Sequence, residues 1–146
     1  MFTIDTSIAI DAPPVDVWHV LLDFPRYHEW NTLLAFVGGE PTLGNTLILR
    51  LTPPTGRGYT FKPVVTNHLP PTRFSWKGIT GVPGVFDGEH FFELSPLPGN
   101  RTQLINREVY SGLVSPIMQR LPLLRDAKPG FERMNEQLKQ RVEHMR

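Results

Sequence analysis

The stretch PGFERMNEQLKQRVEHMR, residues 129–146, decides the fold of this chain. Its apolar side chains recur at steps of 3, 4, 4 and 3, the spacing of one face of an α-helix. They are Phe131, Met134, Leu138, Val142 and Met145. Charged side chains fill the opposite face. The pattern predicts an amphipathic helix of about four turns that lies on an apolar surface.

The segments before this helix have the short period of β-strands. Phe2 to Ile10 alternates between apolar and polar residues, as a strand with one buried face does. Turn residues, mainly proline and glycine, separate the later strand-like runs and favour antiparallel hairpins. Seven strands are predicted: 2–10, 33–37, 46–51, 59–67, 73–77, 86–94 and 102–110. Residues 78–84 are glycine-rich and are interpreted as a mobile loop.

Two short helices are expected after the first strand. Pro13 and Pro14 suit a first helical turn, and Trp18 follows at helical spacing in a stripe that also holds Val15 and Leu22. The dipeptide Phe24-Pro25 ends this helix, because a residue before proline avoids the α region. A second helix or turn is predicted over residues 26–30.

This order of elements predicts an α+β fold. A curved, seven-stranded antiparallel sheet wraps around the long C-terminal helix, in one domain that spans residues 1–146. A sheet that curves around a helix leaves room between the two layers. Such apolar space is a natural binding site for a small molecule.

Composition excludes several other classes of function. Fifteen basic and fourteen acidic residues give a net charge of +1, which argues against nucleic acid as a partner. The absence of cysteine excludes disulfides and thiolate chemistry, and no histidine cluster has the spacing of metal ligands. We therefore expect no metal and no cofactor. No signal peptide or membrane-spanning run is visible, so the expectation is a cytoplasmic protein without stable membrane insertion, either a monomer or a homodimer.

Several sequence blocks resemble a known superfamily. It comprises START-related, birch-pollen-allergen-like and polyketide cyclase/dehydrase proteins, abbreviated SRPBCC, and the match is to its cyclase and lipid-transport branch. The blocks are IDAPPVDVW (10–18), LLDFPRYHEWN (21–31), GEHFFEL (88–94), RT (101–102), EVYSG (108–112) and GFERMNEQLK (130–139). The resemblance implies a helix-grip fold with a deep apolar cavity. It does not imply one function, because related proteins carry lipids, sterols, quinones or hormones, and some catalyse cyclisation.

His90 and Glu108 are the candidate catalytic residues. His90 shares a strand face with Phe92 and Leu94, opposite two glutamates, so it is expected to point toward the cavity. A histidine there can act as a general acid or base, or it can be a hydrogen-bonded core residue. Glu108 shares a face with Asn106 and Tyr110, but which face is inward stays open. If the last two strands bring His90 and Glu108 together, the pair can move protons at a bound enol or carbonyl.

Candidate ligand-binding residues are mostly aromatic. The resemblance places Trp30 and Asn31 near the cavity mouth. Aromatic side chains on the sheet can stack on a planar ligand, and long apolar side chains of the terminal helical region can form the roof. The sheet residues are Phe74, Trp76, Phe86, Phe92 and Tyr110, and the roof residues are Met118, Met134 and Leu138. Ordinary core packing is the alternative for each.

Three functions remain open at this point. The first is binding of a small hydrophobic or aromatic molecule, such as a polyketide, lipid, sterol or quinone. The second is a polyketide-type cyclase, dehydratase or isomerase that uses His90 and Glu108. The third is a protein-interaction module, but the sequence has no exposed apolar segment that would favour it.

Overall fold

The long C-terminal helix is present and covers one face of an antiparallel sheet. The computed structural model describes residues 1–54, 57–79, 82–121, 124 and 127–145. The terminal helix, named α3 here, spans Ala127–His144, so Pro129 lies in its first turn, where no backbone N–H is required. Phe131, Met134, Leu138 and Val142 are buried as predicted. Met145 is not, because the helix ends before it, and its side chain is 65% exposed.

The described residues form eight strands in two sheets, not the single seven-stranded sheet predicted. The strands are β1 (Phe2–Ile10), β2 (Leu34–Gly39), β3 (Leu47–Leu51), β4 (Tyr59–Phe61), β5 (Val64–Leu69), β6 (Arg73–Ile79), β7 (Asp87–Leu97) and β8 (Arg101–Ser111). A five-stranded sheet has the order β1-β8-β7-β6-β5, and a three-stranded sheet has the order β2-β3-β4. Neighbouring strands are antiparallel throughout both sheets, as the short turns predicted.

Pro63 explains the extra strand. The run 59–67 was interpreted as one strand, but Pro63 has no N–H to give to a ladder and separates β4 from β5. β4 therefore pairs with β3, whereas β5 pairs with β6. An isolated bridge between Thr46, which precedes β3, and Val64 of β5 joins the two sheets.

The two short helices expected after the first strand lie where the sequence placed them, within a few residues, and a further short helix follows β8. Helix α1 spans Pro14–Leu22, a 3-10 helix spans Phe24–Glu29, and helix α2 spans Ser115–Met118. Val15 is partly exposed, since α1 buries Val17, Trp18 and Leu21 instead. None of the described helices is both long and apolar enough to cross a bilayer.

One half of the interface between helix and sheet is a solid aromatic core. Trp18 and Phe24 contact Phe74 of β6 at ring distances of 6.4 and 5.8 Å. Phe92 of β7 and Leu138 of α3 are fully buried in the same cluster. In the other half, β6 continues through Gly78 to Ile79, so the predicted loop 78–84 begins later than expected, and residues 80–81 lie outside the described residues. A cavity occupies this second half.

Candidate functional site

The cavity has a volume of about 770 Å³ and lies between the two sheets and helices α2 and α3. Its walls are mainly apolar. The lining residues are Leu33, Leu34, Leu51, Pro53, Pro54, Tyr59, Thr60, Phe61, Lys62, Trp76, Gly78, Ile79, Phe86, Gly88, His90, Glu108, Tyr110, Met118, Leu121, Leu124, Ala127, Phe131 and Met134. This volume falls in the range of small-molecule binding sites.

His90 and Glu108 meet inside this cavity. They are directly paired across β7 and β8, so the register places both side chains on the same face of the sheet. The Nδ1 atom of His90 lies 2.5 Å from Oε2 of Glu108, and the two side chains are only 7% and 13% exposed. The face of β8 that holds Glu108 is therefore the inward one, which the sequence left open.

Aromatic rings fix the position of the His90 imidazole. Trp76 stacks on it with ring centroids 5.3 Å apart and an interplanar angle of 29°. Phe131 of α3 meets it edge-on at 5.0 Å. The histidine is thus held by the sheet on one side and by the closing helix on the other.

A chain of buried hydrogen bonds continues from His90 to the closing helix. Nε2 of His90 lies 2.5 Å from Oδ1 of Asn106. Nδ2 of Asn106 donates to Oδ1 of Asn135 on α3 at 2.8 Å, and Nδ2 of Asn135 donates to Oγ1 of Thr6 at 2.9 Å. The Thr6 hydroxyl donates to the backbone carbonyl of Asn106 at 2.7 Å. Every polar side chain in this buried chain is therefore partnered.

Two tyrosines stand beside Glu108 in the cavity wall. Burial raises the pKa of the Tyr110 phenol, and the neighbouring Glu108 and Tyr59 raise it further. Burial and the charge of Glu108 also raise the pKa of Tyr59. Both phenols therefore stay protonated at neutral pH and offer O–H donors to a ligand.

Gly88 makes room for the Glu108 carboxylate. A Cβ atom at this position would lie 2.6 Å from Oε1 of Glu108 and 3.3 Å from the Tyr110 ring. Its cross-strand neighbour Gly78 has no such conflict, since the nearest atom to a Cβ there is the Gly88 carbonyl oxygen at 4.0 Å. The two glycines leave this part of the cavity wall without side chains.

The structure brings about half of the sequence-predicted residues together. Seven line the cavity: Trp76, Phe86, His90, Glu108, Tyr110, Met118 and Met134. Three others belong to the solid core instead: Phe74, Phe92 and Leu138. Phe74, for example, contacts the Phe24 ring of the 3-10 helix. None of the three lines the cavity.

Trp30 and Asn31 are also away from the cavity lining. Trp30 packs against Tyr27 of the 3-10 helix at a ring distance of 4.9 Å. The Asn31 side-chain oxygen accepts hydrogen bonds from the backbone N–H groups of Leu33 and Leu34, which turns the chain into β2. Both have local structural roles in this turn.

Sequence reasoning missed Gly88 and the residues of β4. Tyr59, Thr60 and Phe61 line the cavity from β4, which belongs to the second sheet, and Lys62 follows them directly. The signal that could have found them is Pro63, whose position inside a strand-like run argues for a break. Within the described part of the chain, no three histidine or acidic side chains are grouped as metal ligands.

The chain matches a known protein family over nearly its whole length. The family model described as "Polyketide cyclase / dehydrase and lipid transport" matches residues 1–143. The chain therefore belongs to this family, and the resemblance inferred from sequence is confirmed. A search of curated protein sequences found no significant match.

Solved structures with the same fold cover nearly the whole chain. Protein MLL2253 from Mesorhizobium loti has 22% identity, covers 99% of both chains and has a TM-score of 0.71. A START superfamily protein from Mycobacterium smegmatis has 18% identity, 99% coverage of both chains and a TM-score of 0.72. The Zhui aromatase/cyclase from Streptomyces sp. R1128 has 17% identity, covers 98% of this chain and 94% of its own, and has a TM-score of 0.74. At such identities these likenesses establish the fold alone.

Proposed function

We propose that the protein binds a small, mainly apolar molecule in the cavity between the sheets and α3. The class is aromatic, polyketide-, lipid-, sterol- or quinone-like. The observation that carries the proposal is the cavity itself, about 770 Å³ in volume and lined mostly by apolar side chains. Membership of a family described as cyclases, dehydrases and lipid transporters supports the same class of ligand.

A thermal-shift panel with a blocked-cavity variant tests this proposal. The panel contains 2-naphthol, a naphthoquinone, a sterol and a fatty acid. A ligand present at a hundred times its Kd stabilises the fold by about 2.7 kcal/mol, which moves the melting temperature by several degrees. In Gly78→Phe, the new side chain enters the cavity and should abolish the shift.

Val37→Phe is the matched control, because Val37 is exposed on β2 and is not part of the cavity wall. It should keep the full response to ligand. Absence of stabilisation by every member of the panel would contradict the proposal. So would an equal response in wild type and Gly78→Phe.

We propose, as a second candidate function, proton transfer on the bound molecule, as in a cyclase, dehydratase or isomerase. The observation that favours it is the pairing of His90 and Glu108 in an otherwise apolar cavity. An apolar carrier gains nothing from a buried acid–base pair, whose burial costs free energy. An acid–base catalyst needs such a pair beside its substrate.

Deuterium exchange into 2-tetralone tests the catalytic candidate without knowledge of the natural substrate. Its α-protons exchange through an enol, which is the step that a buried base accelerates. We expect the wild-type protein to accelerate exchange in D2O roughly a hundredfold or more over buffer, and Glu108→Gln to remove the acceleration. Thr102→Val, which deletes a buried hydroxyl elsewhere on β8, should leave the rate unchanged. Exchange at the buffer rate in wild type would leave binding as the function.

A further inference from the structure

The direction of the buried hydrogen-bond chain follows from its end at Thr6. The Thr6 hydroxyl has one hydrogen, which it donates to the Asn106 carbonyl, so it accepts from Asn135. The Asn135 amide therefore presents its Nδ2 to Thr6 and its Oδ1 to Asn106. Asn106 donates to that oxygen and turns its own Oδ1 toward His90.

This direction fixes the tautomer of His90. Oδ1 of Asn106 is an acceptor, so Nε2 of His90 must carry a hydrogen. Nδ1 faces Oε2 of Glu108 at 2.5 Å, and two lone pairs at that distance would repel each other. One proton therefore lies between Nδ1 and Oε2, whichever atom holds it.

Only one polar atom of the pair is left for a ligand. Both nitrogens of His90 are engaged, and Oε2 of Glu108 is engaged with Nδ1. Oε1 of Glu108 has no hydrogen-bond partner among the residues that the structure describes. It lies beside Gly88 in the cavity wall, and in either position of the shared proton it is an acceptor.

We propose that Glu108 Oε1 binds a hydroxyl group of the ligand, a phenol or an enol, and that His90 is a positioning residue that does not contact the ligand. The proposal rests on the proposed function of the cavity and deepens it by naming the chemical group recognised. The hydroxyls of Tyr59 and Tyr110, which have no hydrogen-bond partner among the described residues, belong to side chains that line the same cavity.

Nitrogen NMR of the ligand-free protein tests the role of His90. In the wild type, Nε2 of His90 should have the signature of a protonated nitrogen. Asn106→Leu removes the acceptor, so Nε2 should lose this signature of a protonated nitrogen. Thr102→Val, on the same strand, should preserve the signature. An unprotonated Nε2 in the wild type would overturn the proposal, and that measurement stands even if Asn106→Leu does not fold.

Two matched ligands test the role of Glu108. 2-Naphthol carries a hydroxyl, and 2-methoxynaphthalene presents the same rings without the hydrogen. Because only 2-naphthol can donate a hydrogen bond to the otherwise unpartnered Oε1, we expect 2-naphthol to bind roughly tenfold more tightly. The preference should fall in Glu108→Gln and in Gly88→Ala, which displaces Oε1, and persist in Gly78→Ala.

The outcomes separate this proposal from the one on which it rests. Equal affinity for the two ligands in the wild type overturns the role of Glu108 and leaves the binding function intact. Failure of both ligands and of the whole panel to bind overturns the binding function, and this proposal with it. A preference that survives in Glu108→Gln assigns the hydroxyl to another group and also overturns the proposal.

Discussion

The two halves of the space under α3 both contain aromatic side chains, but one is solidly packed and the other is hollow. Along β6, Phe74 is fully buried in the core, whereas Gly78, four residues later on the same face, lines the cavity. Along β7, Phe92 is in the core and Gly88 lines the cavity. The difference lies in what meets the sheet. Aromatic side chains of α1 and the 3-10 helix fill the first half. In the second half, the two glycines have no side chain that could fill the space.

The cavity arises from missing side-chain volume on the sheet. Both halves contain aromatic residues, so aromatic content does not distinguish the cavity wall from the packed core. The glycine pair does, because it removes two side chains at neighbouring positions on adjacent strands. It also gives Glu108 the space to turn its carboxylate inward.

The largest expected effect on stability is in the solid half. Phe74→Ala leaves a cavity among Trp18, Phe24 and Trp76 and should cost roughly 3–5 kcal/mol of unfolding free energy. Phe86→Ala, at the wall of the hollow half, should cost less than half as much, since its ring already borders empty space. Urea denaturation of both variants measures the difference, and equal costs would show that the second half is filled.

The next effect comes from the buried polar chain. Asn106→Leu leaves the Nε2–H of His90 and Oδ1 of Asn135 without partners and should cost about 2–3 kcal/mol. Thr102→Val removes one buried hydroxyl, which donates to the Ala12 carbonyl, and should cost about 1 kcal/mol. Denaturation curves measure the two losses of unfolding free energy. A smaller loss for Asn106→Leu than for Thr102→Val would contradict the hydrogen-bond chain of these buried side chains.

The sequence predicted the inward faces of β6 and β7, but it left the inward face of β8 open and did not show how far along each strand the core extends. Period-two alternation placed His90 and Trp76 correctly, because it depends only on local backbone geometry. It could not separate Phe74 from Trp76 or Phe92 from His90, since these pairs share a face and differ only in which distant helix they meet. The partner sheet of Tyr59 depended on the break at Pro63, and the closeness of His90 and Glu108 depended on the register between β7 and β8.

Alkaline titration gives a pH-dependent test of the cavity wall. Burial raises the pKa values of Tyr59 and Tyr110 above the ordinary value of 10.0, so the folded state favours the neutral phenols. Stability is therefore fully present below pH 10 and falls as the pH rises above it. In Tyr27→Phe, which removes the tyrosine of the solid core and leaves Tyr59 and Tyr110, tyrosinate absorbance should lag behind that of the same variant unfolded in urea. Titration at the same pH in both states would mean that these phenols are solvated.

The smallest expected effect is at the far end of α3. Glu143 accepts hydrogen bonds from Lys139 and from the backbone N–H of Asp11, and these lower its pKa below 4.5. The depressed pKa stabilises the fold above pH 4.5, and this contribution is lost as the pH falls. Glu143→Gln should cost less than about 1 kcal/mol at pH 7 and nothing in acid. Glu136→Gln on the exposed face of α3 is the control, and an equal loss there would contradict the assignment.

Methionine methyl NMR tests the central claim, that a ligand enters the space beneath α3, most directly. The chain has four methionines: Met118 and Met134 line the cavity, whereas Met1 and Met145 are 84% and 65% exposed. During titration with 2-naphthol, the methyl signals of Met118 and Met134 should shift, saturate and show contacts to the ligand protons, while those of Met1 and Met145 stay in place. Shifts confined to the exposed pair, or no shift in any of the four, would contradict the account.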